Sequence, residues 1–293
     1  MRIKEKLLKG KIYYYLEHSM RKGKKIQKKE KYLGGKIPSD IEKIKKDFVD
    51  ELYKEKWYVD VDKIKKNFSK EQRELPKSIK EKELQNFATR FTYNTQRIEG
   101  STLTRRETTD LLEKGIAPKS KPMRDVQEAE AHRDLFYEVL KFKKELALQV
   151  VLDWHWNLFN KTKPDIAGKI RKYQVGISGS KFMPPSPVEI NPMLTEFFQW
   201  YKKNSDKLHP IELAALVHLK LVTIHPFGDG NGRITRLVMN FVLNRKKYPL
   251  FDIPYVGRNS YYNALERSQV KKDDKIFLQW FVKRYIKEYK LYL

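Results

Sequence analysis

The chain has 293 residues, a net charge of +25, 34% charged residues and no cysteine. That length can bury a real core in one large or two modest domains. It carries no disulfide framework and no zinc site built on thiolates. No run of about 18 apolar residues is present to span a membrane, and the start, Met1 to Lys6, has no apolar signal core behind it, so the expected location is the cytoplasm.

Hydrophobic residues make up 40% and aromatics 13%, a globular composition. The positive balance suits acidic partners such as nucleotide, nucleic acid or an anionic surface. A Lys- and Glu-rich, Cys-free chain fits adaptation to heat equally well. Both readings stand at this point.

In chain order, Ile12 to Leu16 and Ile26 to Leu33 are β-prone runs flanking Arg21-Lys22-Gly23-Lys24-Lys25, which predicts a basic hairpin ended by Gly34-Gly35 and Pro38. Residues 1–36 could meet nucleic acid through interleaved lysines and tyrosines. With no sequence-reading motif in the segment, the favoured reading is a solvated ribbon whose lysines block edge-to-edge pairing, or a protein-docking element. From Ser39, a candidate N-cap with Glu42 as its capping-box partner, Ile41, Ile44, Phe48 and Leu52 recur at helical steps. Breaks fall near Pro76 and Pro118. We therefore expect residues 1–81 to form a basic hairpin with helices, and residues 82–293 to form one mainly α domain.

The chemistry concentrates between His209 and Asn240. Pro210 sits at a first helical position, and Leu213 to Ile224 describe a mostly buried helix. His225-Pro226-Phe227-Gly228-Asp229-Gly230-Asn231-Gly232-Arg233 interrupts it before a second helix begins. Free N–H groups and the positive dipole end at such a restart suit an anion. Gly230 and Gly232 admit close approach of a phosphate. Arg233 and Arg236, three apart, can clamp successive phosphates. Asp229 is a hard oxygen ligand beside them, which points to Mg²⁺ shared with a polyphosphate. His225 is placed to take a proton from a hydroxyl. The P-loop pattern is absent, because no Lys follows Gly232, and so is Gly-x-Gly-x-x-Gly. His132 and His155 have no metal-like partners at helical spacing, and His218 reads as a core histidine, so no zinc is expected.

His225 to Arg236 resembles, without departure, the Fic motif His-x-Phe-x-Asp/Glu-Gly-Asn-Gly-Arg-x-x-Arg. The resemblance runs from about Phe91 to Val282. It implies a Fic-type helical bundle with a β-hairpin flap, and an enzyme that transfers AMP from ATP to a Ser, Thr or Tyr hydroxyl of a target protein. By that resemblance His225 is the base and Asp229 the Mg²⁺ ligand. Gly230, Asn231 and Gly232 form the anion hole, and Arg233 and Arg236 grip the β- and γ-phosphates. Phe227 anchors the loop. Gly168 to Arg171 with Val175 to Pro185 resembles the family flap, so Ile177, Gly179, Ser180 and Phe182 would dock the target by strand addition. Tyr261 and Tyr262 resemble the adenine side, with Gln269 where relatives often carry Asn.

Thr95-Gln96-Arg97-Ile98-Glu99-Gly100 resembles the inhibitory motif of autoinhibited Fic proteins, on an expected helix near residues 91–100. The resemblance implies that Glu99 pairs with Arg236 and competes with the γ-phosphate, with Thr95 and Gly100 completing the motif. Relatives with this motif often form homodimers. Two alternatives remain at this point: removal of AMP from a modified protein, and a nucleic-acid-binding regulator that uses the N-terminal hairpin.

Overall fold

The computed structural model describes residues 1–22 and 25–293; the expected hairpin turn at residues 23 and 24 lies outside them. Two compact units divide within a long helix, at Met1–Asp60 and Val61–Leu293.

The first unit opens with β1 (Arg2–Leu8), β2 (Lys11–Lys22) and β3 (Lys25–Gly34), an antiparallel sheet in the order β1-β2-β3. The expected hairpin is thus extended by a third strand. The Arg-Ile-Lys-Glu-Lys run of β1 alternates too few apolar residues to be read as a strand without its partner. Alternation sends Ile3, Leu16 and Met20 to one face, where with Leu33 they pack on Ile44, Phe48 and Leu52 of α1 (Ile41–Glu74). The N–H of Ile44 bonds to the Asp40 carbonyl, so Asp40, not Ser39, holds the cap position. Ser39 lies one residue too early.

The second unit is helical. After Pro76 come α2 (Lys77–Ile98), α3 (Arg105–Lys114), α4 (Met123–Lys141), α5 (Leu148–Phe159) and α6 (Pro187–Asn204). They are followed by α7 (Pro210–Ile224), α8 (Asn231–Arg245), α9 (Arg258–Lys271) and α10 (Asp274–Glu288). A capping box of Thr104 with Glu107 starts α3, and one of Ser186 with Glu189 starts α6.

The α7–α8 pair is the centre of this unit. Ile211, Leu213, Ala214, Val217 and Leu221 on α7, with Ile234, Leu237, Val238 and Met239 on α8, have no exposed surface. A helix apolar on all sides must be enclosed, and α2, α4, α5, α6 and α10 pack around the pair. Each of these Ile, Leu, Val and Met side chains contributes about 1.5–3 kcal/mol through burial. The loop between α7 and α8 is thereby fixed at both ends by fully buried helices.

Candidate active site

The α7 helix stops because His225 adopts the left-handed conformation, φ 51°, and Pro226 cannot continue a helix. A non-glycine residue there costs about 1–2 kcal/mol, so the surroundings must hold it. They do so through Arg171, 3% exposed. Its Nε donates to the His225 carbonyl at 2.9 Å, and its own N–H bonds the Pro226 carbonyl at 2.9 Å. The His225 Nδ1–H donates to the Val222 carbonyl at 3.3 Å, which leaves Nε2 as the basic nitrogen. Burial pushes the His225 pKa below its ordinary value; the Val222 bond raises it and Arg171 lowers it, and Glu99 and Asp229 also act on its charge.

The loop then closes on itself. Asn231 accepts from the Phe227 N–H at 2.9 Å and donates to the Phe227 carbonyl at 2.8 Å. Its amide therefore shapes the loop. Phe227 is 1% exposed and stacks on His155 with centroids 3.8 Å apart. His155 Nδ1 accepts from the Gly168 N–H, so Nε2 carries the proton and donates to the Asp229 carbonyl at 3.0 Å. Burial lowers the His155 pKa to about 4, which keeps this tautomer neutral. His155 is thus a brace for the loop, a role its spacing could not reveal. Gly230 caps α8 at φ +81°, and a Cβ there would run into the Phe159 ring.

Arg233 and Arg236 do not lie free on a surface. They are 3% and 1% exposed, and both are already matched by carboxylates. Arg233 pairs with Glu128 of α4 and with Asp229 at 2.9 Å. Lys163 closes the ring: its Nζ lies 2.5 Å from Asp229 and 3.1 Å from Glu128. Four alternating charges form a closed circuit. Burial alone would raise the Asp229 pKa, but the Arg233 charge and Lys163 outweigh it and hold the carboxyl well below the usual range. Neither Glu128 nor Lys163 belongs to the recognised motif; both reach it from distant parts of the chain.

Arg236 faces the end of α2. Its Nη2 pairs with Glu99 at 2.5 Å and meets the Thr95 carbonyl at 3.3 Å, and its Nε meets the Thr95 hydroxyl at 3.3 Å. Its Nη1 donates to the Tyr261 hydroxyl at 3.3 Å, and that hydroxyl donates to His218 Nε2 at 3.0 Å. His218 is therefore buried behind the site and steadies Arg236 through Tyr261. A Cβ on Gly232 would collide with the Glu99 carboxylate. Glu99 thus sits directly against the start of α8, over backbone suited to an anion. Gly100, at φ +96°, turns the chain away just after it.

The remaining expected residues fall around this centre. Tyr261 is buried, whereas Tyr262 is 41% exposed and donates from its hydroxyl to the Ile98 carbonyl at 2.8 Å. Gln269 donates to Thr223 at 3.2 Å. The flap segment turns at Ile177 to Ser180, closed by the Ser180 N–H on the Ile177 carbonyl, with Gly179 at φ +74°. Its arms carry no strand ladder, which differs from the expected β-hairpin: Pro184 and Pro185 lack N–H donors. Side chains hold the arms instead. Arg171 donates to the Tyr173 and Pro185 carbonyls, and Gln174 donates to that of Pro184. Phe182 follows the turn, half-buried, with its N–H on Ser180 Oγ.

Fold and site together define a helical domain built on a buried helix pair, whose connecting loop and paired arginines make an anion cradle beside a neutral histidine. Residues 145–243 match the model of the Fic/DOC family. Curated relatives include the protein adenylyltransferase Fic of Drosophila ananassae, 35% identical over 179 residues, which are 59% of this chain and 35% of that protein. Protein adenylyltransferase fic-1 of Caenorhabditis briggsae is 35% identical over 181 residues, 60% of this chain and 35% of that one. The chain thus spans about a third of the length of the curated relatives it matches. Among solved structures, a Fic domain containing signaling protein from Bacteroides thetaiotaomicron superposes with a TM-score of 0.71 at 28% identity, covering 78% of this chain and 95% of that one. Fic-1 from C. elegans gives 0.74 at 26% identity, covering 86% and 75%. These neighbours support the expected fold class, a Fic-type helical bundle, here preceded by a small antiparallel sheet.

Proposed function

We propose that this protein transfers AMP from ATP to a Ser, Thr or Tyr hydroxyl of a target protein, and that Glu99 holds the enzyme inactive. The names of the curated relatives support the reaction. The observation that carries the regulation is the Glu99 carboxylate, paired with Arg236 and pressed against Gly232. A carboxylate there occupies the guanidinium and the helix end that a terminal phosphate needs.

In the reaction, His225 Nε2 takes the proton of the acceptor hydroxyl. The hydroxyl oxygen bonds to the α-phosphorus, the bond from that phosphorus to the β-phosphate oxygen breaks, and pyrophosphate leaves. Arg233 and Arg236 hold the departing phosphates. The backbone at the start of α8 receives the charge that develops on the transferred group. Asp229 is a single carboxylate, and no group of three His, Asp or Glu side chains surrounds a metal position among the described residues. That donor set fits Mg²⁺ in company with a polyphosphate, the usual arrangement for this ion. Asp229 would hold it, with Lys163 yielding one carboxylate oxygen, and the ion would supply charge neutralisation across the phosphates. Tyr262 and Gln269 border the space assigned to adenine, and residues 177–182 are assigned to target docking.

The test is label transfer from α-labelled ATP, read with the chain itself as first acceptor. Glu99→Gly is expected to raise incorporation about tenfold or more, the scale of one charge-assisted pair. Adding His225→Ala is expected to abolish incorporation while nucleotide binding persists. Unchanged labelling in Glu99→Gly would remove the regulatory reading, and labelling that survives His225→Ala would remove the base. Release of AMP from pre-labelled protein without ATP would identify the reverse hydrolysis instead.

A further inference from the structure

We propose that the outer face of the N-terminal sheet binds a single-stranded nucleic acid, with bases stacked on Tyr13, Tyr15 and Tyr32 and phosphates met by Lys4, Lys6 and Lys28. The inference is independent of the reading of the Fic site.

Register places these residues together. Across β1 and β2, Lys4 stands opposite Tyr15 and Lys6 opposite Tyr13. Across β2 and β3, Tyr15 stands opposite Tyr32 and Ser19 opposite Lys28. Directly opposed residues share a face, and alternation puts this set on the side away from Leu16, Phe48 and Leu52. The face is not a second core. Tyr32 is 56% exposed, and the three rings form an open cluster, with centroids 5.2 Å (Tyr15 to Tyr32) and 6.0 Å (Tyr13 to Tyr32) apart. Tyrosines gathered in the middle of a solvated sheet face need a partner that uses their planes.

Charge says what partner. Residues 1–40 contain thirteen Lys and Arg against four Asp and Glu, a net +9 of the chain's +25. Lys6 Nζ lies 4.3 Å from the Tyr15 ring centroid, so cation and ring are presented side by side. Glu30 holds Lys6 at 2.5 Å and Lys4 at 3.4 Å, and Glu17 lies 3.8 Å from Lys4. These carboxylates orient the ammonium groups beside the rings, and a phosphate can compete for each of them. A flexible strand offers both π faces and a regular row of anions, as proteins that bind single strands exploit. An acidic peptide offers charge without stacking. A duplex hides its base faces, and rings at the centre of a three-stranded sheet do not reach into a groove.

The experiment uses the full chain and fluorescence anisotropy. The probes are fluorescein-labelled oligo-thymidine and oligo-uridine of about twelve nucleotides, within the usual site size. Competitors are a hairpin duplex of matched charge, poly-glutamate and phosphatidylserine vesicles. Single strands are expected to bind at least about tenfold tighter than any competitor. Tyr15→Ala with Tyr32→Ala should weaken binding about 10- to 100-fold, and Tyr15→Phe with Tyr32→Phe should retain it, since stacking resides in the ring. Lys6→Ala should lower the slope of log affinity against log salt by about 0.7. Circular dichroism of each variant checks that the sheet persists, and the Phe pair keeps the stacking test intact should the Ala pair unfold. Equal binding by the Ala pair, or weak binding by the Phe pair, would overturn the stacking platform. Duplex, poly-glutamate or vesicles binding as tightly as the strands would overturn the single-strand assignment in favour of a general anionic surface.

Discussion

At the scale of single residues, the site is a set of charges already satisfied by one another. Asp229, Arg233, Glu128 and Lys163 close a ring, and Glu99 matches Arg236. A ligand must therefore displace partners before it gains contacts, whereas His225, the proposed base, is neutral once pH exceeds its lowered pKa. Its burial places its pKa below 6.5. A base acts when neutral, so activity should fall as pH drops through that lowered pKa and stay level above it. In the Glu99→Gly protein, the acid limb of kcat/KM is expected to have its midpoint below pH 6.5. A midpoint above 7 would mean that burial does not control the ring. The motif made His225, Asp229 and both arginines legible in the sequence, because each residue type has its own reason to be there. Glu128 and Lys163 were not legible. They lie about 100 and 70 residues before Arg233, and only the packing of α4 and of the segment after α5 against α8 brings their charges to the ring.

At the scale of elements, the α7–α8 pair was readable from an apolar run that polar residues hardly interrupt. The sequence pattern predicts two strands where the sheet has three, since β1 gains its identity only by pairing with β2. The resemblance implies a ladder in the flap, where Arg171 and Gln174 instead tie two arms by side-chain bonds. Such bonds leave no periodicity to find. Phe227 shows how the pair and the loop depend on each other. Its ring is buried and stacks on His155, and its backbone is clamped by Asn231 at the start of α8. Phe227→Ala should cost about 3–5 kcal/mol, the range for a fully buried ring. Urea unfolding should show a lower midpoint at unchanged slope, and nucleotide affinity should fall even where the fold is retained. A loss under about 1 kcal/mol would mean that the loop does not need its anchor.

At the scale of the whole molecule, α2 is held by more than Glu99. Near its end, Asn94 donates to Asp252 at 2.6 Å and accepts from the Tyr255 N–H at 3.0 Å, tying α2 to the segment between α8 and α9. Asp252 is 2% exposed, and one of its oxygens has no hydrogen-bond partner. Arg90 lies 3.2 Å from it and is shared with Glu288. Burial raises the Asp252 pKa to about 7, with Arg90 and Asn94 opposing the rise and Glu288 adding to it. An acid raised above its unfolded value of 3.8 binds its proton more tightly in the folded state. Its contribution is then fully present below pH 4 and is lost as pH climbs toward 7. Thermal unfolding of the wild type should therefore lose stability between pH 4 and 7 relative to Asp252→Asn, which keeps the bonding shape without titrating. Because the same group anchors α2, the Asn variant should also make the proposed AMP transfer less sensitive to pH over that range. Parallel stability curves for the two proteins would show that Asp252 stays ionised, with Arg90 as its full counter-charge.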